Sequence, residues 1–475
     1  MKSRRTLPWL LAAVLSCVYS AVSIERQRRM FSTGFDLGIF DQAVRGYAGL
    51  GSPLSALKGA EFNLLGDHFS PVLALLAPAY RVFPHAETLL VAQALLLALS
   101  AVPVTRAAIA VVGTVGGTML GAAYGLSFGL QYAAAFDFHE VAFAVPLVAM
   151  SVAALSRNEE RAAVCWALPL LLVKEDQGLL LAAVGVYVWC RGRRPLGAGA
   201  VLLAVASTVL LTTVVIPAFN LDGTYAYSGM GAATGGDPLS RLLLPATKEH
   251  TVLLLLAPTL FLALRSPLVL LAVLPLAARF WVLSPAYWGI GYHYDAELMP
   301  ILFLAMADGL RRAKHADRRA WTLRVVPGIP AAALAVALAA TLWLPVGDLA
   351  AQLTAPAAPA AARGALDVSA ARRVLALIPD GASVAAANRL APQLTDRCTV
   401  SLFPYLTAPG AHGDWSRPTA RWVALQDRPD PFPLGVQQQL AARARLPAQG
   451  YHQIATGGGV TLYAWTPNPA PTRHP

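Results

Sequence analysis

RNEERAAVCWALPLLLVKEDQGLLLAAVGVYVWCRGRR, residues 157–194, carries the pattern that decides the fold. A basic link (Arg157, Arg161) leads into an apolar run, and the charged turn Lys174-Glu175-Asp176 interrupts it. A second apolar run follows, and a second basic link (Arg191, Arg193, Arg194) closes the stretch. Each run is shorter than the about 20 residues a helix needs to span a bilayer. Residues 162–190 therefore read as a tight hairpin whose tip dips into the membrane or as one long interrupted helix.

The same alternation extends in both directions. Basic residues recur in every second gap between apolar runs, at Arg106, Arg265 and from Arg311 to Arg324. The other gaps carry acids and histidines: Asp36, Asp41, Asp67-His68, Asp137-Phe-His139-Glu140 and His293-Tyr-Asp295-Ala-Glu297. If the basic links face the cytoplasm, the acidic clusters share the outer side and point to one extracytoplasmic site built from many loops.

Composition supports a chain threaded through a membrane. Of 475 residues 56% are hydrophobic and only 13% charged, against about 25% charged in a soluble domain. The net charge of +11 would suggest nucleic acid, but no basic stripe with interleaved aromatics occurs. Positive-inside topology accounts for the excess, so no nucleic-acid partner is expected. The cysteines Cys17, Cys165, Cys190 and Cys398 form no metal-spaced motif, and no pair lies in the C-terminal part.

About eleven spans are expected, near 7–24, 86–105, 108–133, 140–156, 162–174, 177–190, 196–218, 250–265, 267–284, 297–312 and 322–345. Lys2, Arg4 and Arg5 precede the first, which reads as an uncleaved helix rather than a signal peptide. An odd count puts the N-terminus in the cytoplasm and the C-terminus outside. Residues 25–85 form a long first outer loop, with an amphipathic helix from Asp36 to Tyr47 and an apolar segment, Phe69 to Val82, lying on the outer leaflet. The expected domains are 1–345 in the membrane, an Ala/Pro-rich linker at 346–363 and an extracytoplasmic α/β domain at 364–475. In that domain helical pattern covers Val368 to Leu377 and Leu390 to Leu394. Strands are expected at Ser383 to Ala387 and Arg421 to Leu425, and a hairpin turns at Gly457-Gly-Gly459. The fold class is thus an all-α polytopic membrane protein with a small C-terminal α/β domain.

The candidate site residues follow from the cost of charge beside apolar runs. Asp36, at the membrane–water boundary, suits a general base or a ligand of a divalent cation bridging to phosphate. Its plainer reading is a helix N-cap. Asp41 lies about 140° around the helix from it. Asp67 and His68 suit acid–base work or metal coordination, or a cap. Asp137, His139 and Glu140, and Lys174, Glu175 and Asp176, need partners or a wet cavity. His293 and Asp295 add to the same side, and Arg279 is a lone cation within an apolar run whose natural partner is phosphate.

Asp36-Leu-Gly-Ile-Phe-Asp41-Gln42, Gly66-Asp67-His68-Phe-Ser-Pro71, Phe136-Asp137-Phe-His139-Glu140, Lys174-Glu175-Asp176 and Ala382-Ser-Val-Ala-Ala-Ala-Asn388 together resemble a family of polytopic proteins known as domain of unknown function 2079. That family is similar in layout to the GT-C superfamily of membrane glycosyltransferases. The resemblance implies a GT-C-like fold and an inverting transfer from a polyprenyl-phosphate-linked sugar, within membrane lipid, to an extracytoplasmic acceptor. It implies Asp36 as the catalytic aspartate, with Asp41, Asp67 and His68 as further catalytic candidates. It gives Arg279 a donor phosphate, makes the remaining clusters substrate-binding, and allows a divalent metal, Mg or Mn. Two rivals stay open: a transporter or lipid flippase using Lys174-Glu175-Asp176 and Arg279, and an envelope scaffold acting through the C-terminal domain.

Overall fold

The computed structural model describes residues 2–229, 237–316, 328–354, 366–405 and 420–466. The chain divides into two compact units that do not follow sequence order. One comprises Met1–Ser23, Leu65–Leu73 and Leu90–Thr354, the other Ile24–Leu64, Ala74–Leu89 and Ala355–Pro475.

The first unit is helical. Among the described residues, Arg5–Arg28, Ala86–Gly125 and Arg194–Phe219 are long and apolar enough to cross a membrane. The bent pair Gly328–Thr341 and Pro345–Thr354 makes a fourth if counted as one span. Shorter apolar helices are Pro71–Val82, Glu140–Ser156 and Pro267–Trp281. The expected break at Arg106 falls instead at Gly113, where φ is +82° and the space a Cβ would occupy has no neighbour within 4 Å. Only glycine adopts that conformation at little cost, and the polar side chain of Arg106 does nothing to interrupt helical hydrogen bonding. Residues 345–354, inside the stretch expected to be linker, are helical: Pro345 opens the helix and Asp348 sits in its first turn. The rest of that linker lies outside the described residues, as do 322–327 of the last expected span.

Residues 157–194 fold as two packed segments. Glu160–Ala167 and the tighter Leu168–Leu172 run into Lys174, whose extended backbone (φ −163°, ψ 152°) ends the helix. A short turn, Glu175–Gln177, then starts Gly178–Cys190. That helix lies close against Arg194–Leu210: a Cβ on Gly197 would fall 2.5 Å from the carbonyl oxygen of Gly185. Small residues at such a crossing let backbones approach where lipid offers no hydrophobic drive. The buried core around these helices is Leu, Ala and Val with Tyr19, Tyr124 and Phe303. Tyr124 shares a 2.6 Å hydrogen bond with Ser100, so its hydroxyl is satisfied.

The second unit holds a five-stranded sheet: β1 (Ser383–Ala386), β2 (Thr399–Leu402), β3 (Trp422–Gln426), β4 (Tyr451–Gly457) and β5 (Val460–Trp465). The order is β2-β1-β3-β5-β4, with β1 parallel to β2 and β3, and β5 antiparallel to β3 and β4. β2 and the helix Val436–Arg445 went unexpected in sequence; four short residues and a mostly polar helix give little periodic signal.

The first loop folds onto this sheet. Ile39–Ala48 is the expected helix. Gly34 and Phe35 donate their amides to the carbonyl and side-chain oxygens of Asn388, at 2.7 and 3.1 Å. Gln42 donates to the Val400 carbonyl at 2.9 Å, and Arg45 donates to those of Thr395 and Cys398 at 2.7 and 2.8 Å. Arg45→Ala would leave two carbonyls without donors, which costs about 1–3 kcal/mol where water cannot reach them. The expected outcome is a lower melting temperature and faster proteolysis after residue 365, with Arg45→Lys intermediate; unchanged proteolysis would mean that these bonds do not hold the unit together.

Candidate active site

A cavity of about 260 Å³ opens in the helical unit. Its wall comes from loops far apart in sequence: His68; Lys174, Glu175, Asp176 and Gln177; Tyr225 and Tyr227; Arg279; and Tyr287, His293, Tyr294 and Glu297. Turns rather than helix interiors supply most of these groups, because each loop between apolar segments ends here.

Glu175 organises one side. It is buried, and its carboxylate takes the His68 Nδ1 contact at 2.7 Å, the Phe69 amide at 3.1 Å and the Tyr225 hydroxyl at 3.0 Å. Burial alone would push this carboxyl up. The charge and hydrogen bond of His68, with Lys174 beside it, outweigh burial and hold it at about 2. Tyr227 stacks on the His68 ring at 4.5 Å, and its hydroxyl donates to Asp67 at 3.0 Å.

Lys174 reaches Glu140 at 3.3 Å, and His139 Nδ1 lies 2.8 Å from the other oxygen of that carboxylate, which is wholly buried. The 137–140 turn is anchored by Gln93, which donates to the Asp137 carbonyl at 3.1 Å and accepts the His139 amide at 2.9 Å. The His139 ring stacks on His293 at 3.7 Å. Gln177 donates to Glu297 at 2.9 Å and to Asp176 at 3.3 Å. Arg279 pairs with Asp295 and donates to the carbonyls of Tyr287 and Gly289. Its guanidinium therefore fastens the 287–295 loop and is already matched by a carboxylate.

The expected clusters at 67–68, 137–140, 174–176, 279 and 293–295 thus come together in one unit. Asp36 and Asp41 fall in the other. Asp36 is half-buried and is not the cap of Ile39–Ala48, which begins after Gly38 without a side-chain cap. Asp41 is fully buried and accepts the Tyr80 hydroxyl at 2.8 Å. Sequence reasoning missed Gln93 and the tyrosines at 225, 227, 287 and 294. Tyr225 and Tyr227 stand in a polar loop with no periodic pattern to mark them. Among the described residues no three His, Cys, Asp or Glu side chains stand where one ion would hold them. The acids here pair with His68, Lys174, Arg279 and Gln177 instead, so they do not fit a divalent metal.

Helices crossing a membrane, a small terminal sheet and a charged cavity define an integral membrane protein of GT-C-like fold. The chain belongs to the family of predicted membrane proteins designated DUF2079, whose sequence profile matches residues 26–462. No curated protein matches it. Among solved structures it is similar to ArnT from Cupriavidus metallidurans bound to undecaprenyl phosphate. The two are 14% identical, and the likeness covers 98% of this chain and 100% of that one with a TM-score of 0.59.

Burial pushes the Asp41 carboxyl up to about 7; Asp396 adds to this, while the Tyr80 hydroxyl and Arg45 oppose it. The folded protein then holds this proton more tightly than an unfolded carboxyl near ~4. That stabilisation is complete below about pH 4 and is lost as pH rises to about 7. Asp41→Asn keeps an acceptor for Tyr80 and is expected to remove this component of the slope in melting temperature between those pH values. A slope identical to that of the wild type would assign the titration to another group.

Proposed function

We propose that this protein is a membrane glycosyltransferase that moves a sugar from a polyprenyl-phosphate donor to an acceptor on the outer face of the cell membrane, with inversion. The observation that carries the reading is the convergence of distant acidic, histidine and lysine motifs on one cavity, in a chain that has ArnT's fold over nearly its whole length. Membrane placement follows from the family; about eleven spans, a cytoplasmic N-terminus and an outward C-terminal region follow from the alternating basic links.

In this reading the acceptor oxygen attacks the anomeric carbon and the lipid phosphate departs from the opposite face. Phosphate is a good leaving group, so placement and a preorganised electrostatic surround supply most of the acceleration. Asp176, Gln177 and Glu297 present acceptors suited to sugar hydroxyls. Lys174 and Arg279 are each committed to a carboxylate, which leaves Arg279 as the organiser of its loop rather than a spare phosphate ligand. Asp36 keeps the first-loop position that the family resemblance assigns to a catalytic carboxylate.

The test is product release from a panel of polyprenyl-phosphate sugars by purified protein in lipid, wild type against Asp36→Asn, with and without Mg or Mn. Turnover by the wild type, reduced at least about 100-fold in the folded variant, is expected for a group acting on the reacting atoms. A folded wild type that turns over no donor would favour transport, whose support is the buried charge at Lys174 and Glu140.

A further inference from the structure

His68 stands apart from the other ionisable groups around the cavity. Asp295 is taken up by Arg279, Glu140 by Lys174 and His139, and Asp176 and Glu297 share Gln177. His68 instead lines the cavity with one ring nitrogen held from behind by a buried carboxylate. Glu175 has no proton to give, so at 2.7 Å the hydrogen must lie on His68 Nδ1. The lone pair of the neutral ring is then on Nε2. Tyr227 fixes the ring plane by stacking at an angle of 11°, and Asp67, the preceding residue, fixes Tyr227 through its hydroxyl. A base whose other nitrogen is oriented by a third group is the arrangement that activates hydroxyl nucleophiles on unrelated folds.

We infer that His68, positioned by Glu175, takes the proton from the attacking acceptor hydroxyl, and that Asp36 contributes placement instead. This rests on the glycosyl-transfer reading. The acceptor O–H bond breaks towards Nε2 as its oxygen forms the new bond to the anomeric carbon. The bond from that carbon to the phosphate oxygen breaks, its electron pair leaving with the lipid phosphate. The imidazolium then faces Glu175, which offsets its charge, and it passes the proton to water. Besides Glu175, the charged and titratable groups around the ring are Asp67, Glu140, Lys174, Asp176, Tyr225 and Tyr227. Glu175 is a positioning residue: it touches the base and not the substrate.

Full-length protein in lipid vesicles, supplied with polyprenyl-phosphate sugar, tests this. His68→Ala should lower turnover by roughly 10²–10⁴-fold and recover part of it when imidazole is added, which also shows that the variant is folded. His68→Gln, which fills the space, should be as slow and should not recover. In ¹⁵N-histidine spectra the signal lost in His68→Ala should report a protonated Nδ1 in the wild type, and Glu175→Gln should abolish that preference along with turnover. Undiminished turnover in His68→Ala, or a wild-type ring protonated at Nε2, would overturn the assignment. A wild type idle on every donor would remove the transfer reading and the catalytic step with it, while the spectra would still decide whether Glu175 holds the His68 tautomer.

Discussion

An ionised group enclosed by apolar helices must find a partner of opposite charge or several hydrogen-bond donors, since leaving it alone costs several kcal/mol. The cavity is built on that constraint. Glu140 is fully enclosed and tolerable only because Lys174 and His139 reach it. Glu175 meets the same demand through a histidine, an amide and a phenol. Because each pairing joins loops between different helices, the charges hold the helix ends in register. A site assembled this way is already oriented before substrate arrives, the condition under which electrostatic stabilisation needs little reorganisation.

That constraint also explains what was legible beforehand. A carboxylate between apolar runs is conspicuous in any sequence, so Lys174-Glu175-Asp176, Asp137 to Glu140 and His293 to Glu297 stood out on cost alone. Who pairs with whom was not legible: His68 and Glu175 are 107 residues apart, and nothing local marks their meeting. Gln93 looked like one polar residue in an apolar helix, yet it anchors the 137–140 turn. The hairpin of β4 and β5 was visible through its three glycines, whereas β2 is too short to show alternation. Asp41 shows the reverse error: an acid in the first loop looks exposed in sequence, and burial against Tyr80 depends on chain more than 30 residues away.

The composite second unit has the same origin. Sequence order suggests a loop belonging to the membrane part and a separate terminal domain. In the structure the amides of Gly34 and Phe35 and the side chains of Gln42 and Arg45 satisfy carbonyls and Asn388 around β1 and β2. Backbone oxygens at the end of a small sheet need donors, and the first loop supplies them. A C-terminal region of this kind is completed by a segment some 350 residues earlier, as the Arg45 to Thr395 separation shows. Its stability is thereby tied to the first loop, where Asp36 lies.

The sign of the cavity narrows what a transfer reaction would ask of it. Its two fixed cations each face a carboxylate at contact distance, and Arg279 also holds two carbonyls. Pulling either cation towards a lipid phosphate would expose a buried acid, so the gain would be offset by the charge left behind. Hydroxyl groups face no such conflict: the carboxylates and Gln177 remain able to accept hydrogen bonds while keeping their partners. On the proposed reading the cavity is therefore matched to the hydroxyl-bearing part of a donor or acceptor, and the base that acts there must be one whose partner is not displaced by substrate. A histidine held from behind by a carboxylate meets that requirement, because binding at Nε2 leaves the Nδ1 contact in place.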